Sequence, residues 1–218
     1  MVKIKKERVC NIRVAEPSDI CYSPATHTYF TVSDNGWLYE INESGQTLRK
    51  SPFHGMDFEA VWADSTQLYV SEELSRLILT FDLKSLEKTG SYKIHESGAR
   101  NKGIESITWN AAKQRFLVAF EGGPVRLLEL DRNFQRVNDF ELKVASDISA
   151  ATYFKNSLFL LSDEDRKIFQ LNPITYQLER IWEINVLNPE GLCFTPEGNL
   201  LVVSDDLQQL YVYPKILQ

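Results

Sequence analysis

The chain has 218 residues, of which 43% are hydrophobic, 11% aromatic and 25% charged, so it can bury one sizeable core. It carries 24 Lys and Arg against 30 Asp and Glu, which gives a formal net charge of −6 at pH 7. Such a surface lacks the positive charge that would neutralise a phosphate backbone or an anionic lipid surface. We therefore expect neither a nucleic acid nor a membrane surface as the partner.

The amino-terminal sequence does not have the pattern of a targeting segment. Residues 1–8 are positively charged, but no apolar segment or cleavage site of a secretory signal follows them. No apolar run is long enough to span a bilayer. We expect neither a signal peptide nor a transmembrane segment in this chain, which leaves a cytoplasmic location open. The cysteines Cys10, Cys21 and Cys193 have no metal-ligand spacing and are expected to be buried thiols.

A short pattern of a polar, a small and an aliphatic residue recurs along the whole chain. Its clearest copies are Phe58-Glu59-Ala60-Val61, Ile104-Glu105-Ser106-Ile107 and Pro189-Glu190-Gly191-Leu192. Weaker copies have Ser18 and Ser149 at the position of the glutamate. The five polar positions are 41, 46, 44 and 41 residues apart. Five units of that length nearly fill the chain.

Each unit reads as four β-strands in chain order. The first strand begins at the repeated pattern, and the second ends in an acidic turn, as in Leu68-Tyr69-Val70-Ser71-Glu72-Glu73. The third alternates apolar and polar residues, as in Leu77-Ile78-Leu79-Thr80-Phe81. The fourth, for example residues 176–184, is more polar and suits an outer edge. Periods in the low forties with four strands each are typical of β-propellers.

The sequence therefore predicts an all-β fold, a single domain in the form of a five-bladed β-propeller with four antiparallel strands per blade. The blades are placed approximately at residues 15–55, 56–101, 102–145, 146–187 and 188–218. The last unit lacks its own fourth strand, and residues 5–14 precede the first unit without a partner. We expect this N-terminal strand to join the last blade and close the ring. A pair of β-sandwiches or one open barrel fits such regular units less well.

Half of the acidic residues fall at one rim of this propeller. The start of the first strand and the end of the second lie at the same rim, because the two strands are antiparallel. The strand starts contribute Asp19, Asp57, Glu59, Glu105, Asp147 and Glu190. The turns contribute Asp34, Glu72, Glu73, Glu121, Asp163, Glu164, Asp165, Asp205 and Asp206. Because Glu59, Glu105 and Glu190 occupy equivalent positions on different blades, we expect them to converge on the axis.

Converging carboxylates repel each other unless their pKa values rise or a cation binds. Oxygen ligands without nearby His or Cys favour a hard ion, and a flexible ring with hydroxyls and water favours Ca²⁺ over Mg²⁺. The glutamates Glu59, Glu105 and Glu190 are thus the candidate metal ligands. Two alternatives stay open: the turn acids face water and bond their own backbone, or the glutamates pair with arginines such as Arg76 and Arg166.

No catalytic residue is assigned. Nucleophile-elbow, zinc-protease, P-loop and dinucleotide motifs are missing from the sequence, and its three histidines do not cluster. We favour a non-catalytic binding or scaffolding propeller that is a monomer and meets a small molecule or protein at its acidic rim. The alternatives are a metal-dependent hydrolase of lactonase or phytase-like phosphoesterase type, and a propeller with an empty pore whose loops bind a protein.

The repeats also carry a family resemblance. They read Asp57-Phe58-Glu59-Ala60-Val61, Gly103-Ile104-Glu105-Ser106-Ile107 and Asn188-Pro189-Glu190-Gly191-Leu192. With each followed by a strand that ends near an acidic turn, the chain resembles the SdiA-regulated, YjiK-like family of bacterial β-propellers over essentially its whole length. The resemblance implies a small propeller of the cell envelope or periplasm, often behind a signal or lipid anchor, with no established reaction. It also implies that the matching glutamates would ligate the metal, while Ser18 and Ser149 argue against a symmetric site of five carboxylates.

Overall fold

A computed structural model describes residues 1–95, 103–120 and 124–217 of the chain. The strands of these residues form five separate sheets, four of four strands and one of five. In each sheet the blade strands follow one another in chain order and pair antiparallel with their neighbours. Within the described ranges there is no helix of the length and apolar character needed to cross a bilayer.

The strand bounds follow the five units of the sequence. The N-terminal segment forms β1 (Val2–Lys3) and β2 (Arg8–Asn11). Blade 1 contains β3 (Pro17–Ser23), β4 (Thr28–Ser33), β5 (Trp37–Ile41) and β6 (Thr47–Lys50). Blade 2 contains β7 (Phe58–Ala63), β8 (Gln67–Glu72), β9 (Leu77–Asp82) and β10 (Lys88–Lys93). Blade 3 contains β11 (Ile104–Asn110), β12 (Arg115–Phe120), β13 (Val125–Leu130) and β14 (Arg136–Leu142). Blade 4 contains β15 (Ala150–Phe154), β16 (Ser157–Ser162), β17 (Lys167–Leu171) and β18 (Leu178–Glu183). Blade 5 contains β19 (Pro189–Phe194), β20 (Leu200–Ser204) and β21 (Gln209–Tyr213).

The blades form a closed ring. The first strand of each blade contacts the first strand of the next, in the order β3, β7, β11, β15, β19 and back to β3. These five innermost strands therefore surround the axis. The core lies between neighbouring blades, where Phe30 and Leu38 of blade 1 pack with Phe58 and Phe81 of blade 2. The five-bladed propeller expected from the repeat is confirmed.

The N-terminal segment closes the ring as expected. β2 pairs antiparallel with β21, with Arg8 opposite Val212, and so supplies the fourth strand of blade 5. The sequence did not indicate β1, which pairs in parallel with β18 at the outer edge of blade 4. Because β1 and β2 are separated by only a few residues, the N-terminal segment ties blades 4 and 5 together.

A β-bulge recurs at the repeated polar residue. The register between the first and second strands shifts at Ser18, Glu59, Glu105 and Glu190. In blade 4 the ladder starts two residues later, at Ala150, and the amide of Ser149 donates to the carbonyl of Leu161. A bulge leaves its extra residue unpaired and re-aims its side chain. The repeated sequence pattern therefore corresponds to a bulge that presents one side chain per blade at the start of the innermost strand.

Asp19 lies inside the ring and not at the rim, where the sequence placed it. It is only 3% exposed and follows the bulge residue Ser18, at the position of the small residues of the other blades. Its Oδ2 accepts the amide of Val61 at 2.9 Å, and its Oδ1 accepts the amide of Ile20 at 2.8 Å. The amide of Leu192 is a further donor to this carboxyl. Burial raises the pKa of Asp19, although these three amides act against the rise. One side chain thus joins blades 1, 2 and 5.

Gly191 allows this close approach. A Cβ at Gly191 would lie 2.5 Å from the Cα of Asp19 and 2.8 Å from the nitrogen of Ile20. We predict that Gly191→Ala lowers the free energy of unfolding by about 1 to 3 kcal/mol or more, because backbone and not a flexible side chain must move. Chemical denaturation measures this change. Gly90→Ala is the control, since its Cβ would meet only the Thr80 hydroxyl, at 3.0 Å. Equal stability of the two variants would contradict the assigned role.

Candidate functional site

Three positions in a blade come together at the acidic rim, as the described residues of blades 1, 2 and 5 show. They are the bulge residue, the residue two positions before it, here called the leading residue, and the first residue after the second strand, here called the turn residue. In three blades the amide of the turn residue donates to the carbonyl of the leading residue. These bonds run from Asp34 to Glu16 (3.1 Å), from Glu73 to Asp57 (3.0 Å) and from Asp205 to Asn188 (3.2 Å). The three acceptors share a left-handed backbone, with φ between 41° and 54°.

Blade 2 is the blade whose sequence has a carboxylate at all three positions. Asp57 is its leading residue, Glu59 its bulge residue and Glu73 its turn residue. One carboxylate oxygen from each lies within 4.8 Å of the others. Oxygens at this spacing can ligate one cation. The described part of the chain therefore contains a group of three acids with the geometry of a metal site.

Glu73 is oriented by the next blade. Its Oε1 accepts the amide of Gly103 at 2.9 Å, and its side chain is buried. A Cβ at Gly103 would lie 2.2 Å from the Cγ of Glu73, so a larger residue would displace this carboxylate. From the sequence, Glu73 was predicted only to be one of the turn acids. A single acidic residue in a turn does not indicate that the backbone of a neighbouring blade orients its side chain.

Glu59 lies in an unfavourable setting for a negative charge. Burial raises the pKa of Glu59 to about 10, and the charges of Glu105, Asp34, Asp57 and Glu73 act in the same direction. Glu59 and Glu105 thus interact across the boundary between blades 2 and 3. Without a cation, the Glu59 carboxyl holds its proton at neutral pH.

Glu190 has other acidic neighbours. Burial raises the pKa of Glu190 to about 8, and Asp163, Asp34, Asp205 and Asp147 add to the rise. Asp34 acts on both Glu59 and Glu190 and so links the two halves of the rim. The convergence of Glu59, Glu105 and Glu190 on a single ion stays a prediction. Of these three, only Glu59 belongs to the triad of blade 2.

Blade 4 has a pair of carboxyl groups in the same region. Burial raises the pKa of Asp147 to about 7, and a hydrogen bond with the Asp163 carboxyl contributes. The hydroxyl of Ser162 donates to Asp147, and the amide of Asp163 donates to its other oxygen at 3.2 Å.

The serines at the bulge position connect the blades. The hydroxyl of Ser18 donates to the carbonyl of Phe58 at 2.5 Å, and that of Ser149 donates to the carbonyl of Pro189 at 3.0 Å. Each acceptor is the residue directly before a bulge glutamate of another blade. The two departures from the glutamate pattern therefore hold neighbouring glutamates in place, a role that the sequence does not show because it depends on packing between blades.

The remaining acids of the predicted rim differ in their settings. The carboxylate of Glu72 accepts the amide of Met56 at 3.0 Å and the hydroxyl of Ser75 at 2.5 Å, so it bonds nearby groups of its own region. Asp165 accepts the amide of Ser146 at 3.2 Å. Glu164 and Asp206 are exposed to solvent, and Glu121 lies outside the described residues. For Glu72, Glu164 and Asp206 the interpretation as ordinary turn acids fits better than a role as ligand.

A family model described as SdiA-regulated matches residues 1–213. The chain belongs to the SdiA-regulated family. The family resemblance carried by the repeated glutamates is thereby confirmed. Among solved structures, this SdiA-regulated protein is similar to the crystal structure of the glutaminyl cyclase of Myxococcus xanthus, with a TM-score of 0.79 and 14% sequence identity. The match covers 97% of each chain, and at that identity it shows a shared fold alone.

The raised pKa values predict that acidification stabilises this SdiA-regulated protein when divalent ions are removed. On folding, the pKa of Glu59 rises from 4.5 to about 10 and that of Glu190 rises from 4.5 to about 8. At pH values between the unfolded and the folded pKa, the folded state therefore binds more protons than the unfolded state. The contribution of these two groups to the free energy of unfolding must then fall as the pH rises from about 5 to about 8. Denaturant unfolding in EDTA at both pH values measures the fall.

Glu59→Gln isolates this effect from other titrating groups. The variant cannot ionise at residue 59, so we expect a smaller loss of stability between the two pH values than in the unchanged chain. The same loss in both proteins would show that Glu59 is ionised in the absence of metal.

Proposed function

We propose that this protein is a non-catalytic binding or scaffolding propeller of the bacterial cell envelope, and that a Ca²⁺ ion at its acidic rim organises the binding site. The triad Asp57, Glu59 and Glu73 carries the proposal, since one oxygen of each lies within 4.8 Å of the others. Burial and neighbouring charges raise the pKa of Glu59, which is the setting that a bound cation relieves.

The donor set favours Ca²⁺ over other common ions. Three carboxylates offer hard oxygen ligands, whereas Zn²⁺ prefers sites that include nitrogen or sulfur. Ca²⁺ accepts six to eight oxygens in irregular geometry, while Mg²⁺ requires a near-ideal octahedron. Three protein side chains leave coordination positions for water or for oxygens of a ligand. A small molecule or a protein partner that offers hydroxyl or carboxylate oxygens could therefore complete the shell.

The location and the oligomeric state are part of the proposal. The cell envelope is favoured by the family resemblance of the repeats. A monomer is favoured because the ring is closed by the chain's own N-terminal strand, which supplies the outer strand of blade 5. The net charge of −6 repels an anionic ligand that approaches the protein directly. A ligand that binds through the cation fits this charge better.

The first experiment is elemental analysis of protein purified without chelator, followed by calorimetric titration of the EDTA-treated protein with Ca²⁺ and with Mg²⁺. We expect about one equivalent of Ca²⁺ and a rise in the melting temperature on its addition. Glu59→Gln should weaken the Ca²⁺ affinity at least about tenfold, because it removes a charged ligand. Glu87→Gln is the control, since Glu87 is exposed in the turn between β9 and β10.

The outcomes separate the proposal from its rivals. Equal weakening by Glu59→Gln and Glu87→Gln would assign the effect to net charge and overturn the triad as the site. If the protein binds no divalent ion and chelator does not change its melting temperature, the proposed site is overturned and the rim is a solvated acidic surface.

A catalytic role is the second candidate, and one observation favours it. Asp147 and Glu190 have pKa values raised to about 7 and about 8, which suits groups that exchange protons at neutral pH. In cyclisation of an amino-terminal glutamine, the α-amine attacks the side-chain amide carbonyl. A C–N bond forms in the ring, and the bond to the departing ammonia breaks. A carboxylate could take a proton from the attacking amine, and a carboxyl group could protonate the departing amide nitrogen so that it leaves as ammonia.

Assays of turnover test the second candidate. Ammonia release from a peptide with an amino-terminal glutamine tests the cyclase reaction, and hydrolysis of lactones and phosphate esters tests the metal-dependent hydrolase. A phosphate ester is the least favourable of these substrates, because the rim is mainly acidic. Turnover that Glu190→Gln abolishes would establish that the protein is an enzyme. If the Ca²⁺-bound protein turns over none of these substrates, the binding role is favoured.

A further inference from the structure

A second concave region lies at the opposite end of the propeller axis. β7 runs from the acidic rim at Glu59 to Ala63, a distance of about 13 Å for four residues of extended strand. A cavity of about 520 Å³ opens there, and all five blades line it. Each blade contributes an aromatic side chain near the end of its innermost strand. These residues are Tyr22, Trp62, Trp109, Tyr153 and Phe194. We call this region the aromatic cavity.

The aromatic cavity is separated from the acidic rim. The buried thiols Cys21 and Cys193 lie in its lining. Asp19, two residues before Cys21 along β3, is buried between them and the rim and bonds the amides of three blades. Burial raises the pKa of both thiols, and the charge of Asp19 adds to the rise. The thiols therefore stay protonated and present a neutral, weakly polar surface to the cavity.

Trp62 and Trp109 form a braced aromatic wall. Their ring centroids are 6.3 Å apart at an interplanar angle of 32°. The ring of Phe116 packs edge-on against both, at 5.5 Å from Trp62 and 4.9 Å from Trp109. Both tryptophans remain partly exposed. Because these rings are held in place before any ligand arrives, their exposed faces can receive a flat molecule at little cost in side-chain entropy.

The size and composition of the cavity fit a small molecule. Ligand sites usually measure about 300 to 1,000 Å³ and combine apolar walls with a few polar groups. The polar groups here are few and uncharged, such as Thr152, Thr195 and the hydroxyl of Tyr153. The carboxylate of Asp64, in a smaller recess beside the tryptophans, is already bonded to the Tyr69 hydroxyl at 2.9 Å. The guanidinium of Arg132, which also lines that recess, lies 5.0 Å from the centre of the Trp109 ring, whereas the residues that line the cavity itself carry no charge.

The surface around the mouth argues against a protein partner. The hairpins that surround it lie between the first and second strands of each blade. Among the described residues, none of the large apolar side chains exposed to solvent belongs to these hairpins. Protein interfaces bury roughly 800 Å² on each side around an apolar centre. The recess is apolar, but its surroundings do not provide that extent of apolar surface.

We propose that the aromatic cavity is a binding site for a flat, uncharged, hydrophobic small molecule. Such a ligand stacks on Trp62 and Trp109 and reaches towards the thiols of Cys21 and Cys193. This site is independent of the cation proposed at the acidic rim, because Asp19, which bonds amides of neighbouring blades, lies along β3 between the cavity and the rim.

The probe for this proposal is N-phenyl-1-naphthylamine, a neutral aromatic dye that fluoresces in apolar surroundings. We expect a saturable rise in its emission at one site per chain, with quenching of tryptophan emission by energy transfer. Trp109→Ala and Thr152→Arg should each weaken binding at least about tenfold, the first by removing a stacking face and the second by placing a charge in the cavity.

Trp37→Ala is the matched control. Trp37 is also partly exposed and in aromatic contact, but it stacks on His54 in the first blade and does not line the cavity. It should leave binding of the dye unchanged. Thr152→Arg removes no aromatic packing and so keeps the test decisive if Trp109→Ala melts without a cooperative transition. Absence of a saturable signal, or unchanged affinity in Thr152→Arg, would overturn the proposal, and so would a loss of binding on addition of EDTA alone.

Discussion

The close approach of five innermost strands around one axis is the constraint on which the rest of this structure depends. Each innermost strand is the edge of its sheet, so its inward-facing backbone groups need partners from outside the blade. Asp19 supplies a carboxylate to amides of three blades, and Gly191 leaves the space that this contact requires. The two ends of the axis, on either side of Asp19, are chemically different: carboxylates gather at one, and aromatic rings at the other.

The bulge at the start of each innermost strand turns a symmetric scaffold into an asymmetric site. It presents one side chain per blade, and this side chain is a serine in two blades and a glutamate in three. Ser18 and Ser149 tie their blades to a neighbouring backbone, whereas Glu59, Glu105 and Glu190 bring charge to the rim. Of the three blades with a glutamate at this position, only blade 2 also has acids at both its leading and its turn position, so the three-carboxylate group lies there, although the backbone of the rim is similar in several blades.

The sequence predicted the fold well because each repeat supports the interpretation of the others, and a unit without a fourth strand requires a partner from the N-terminal segment. The site was harder to predict. Equivalence along the chain relates Glu59 to Glu105 and Glu190, but neighbouring strands within one blade are only about 4.8 Å apart. Asp57 lies two residues before Glu59 and Glu73 lies in the adjacent turn of the same blade, so one oxygen of each can lie within 4.8 Å of the others. The inward position of Asp19 depends on which of two adjacent residues occupies the bulge, and a one-residue difference in register is not visible in the pattern.

In the cation site proposed at the rim, the protonation of Glu59 would govern which ions bind. A carboxyl group whose pKa is raised to about 10 must release its proton before it can act as a charged ligand. Each proton released lowers the apparent affinity about tenfold for every pH unit below that pKa, since one pKa unit corresponds to about 1.4 kcal/mol. A monovalent ion gains too little from three carboxylates to offset this cost, whereas a divalent ion interacts with each of them twice as strongly. The same burial that disfavours the free carboxylate would therefore make the proposed cation site selective for ions of higher charge.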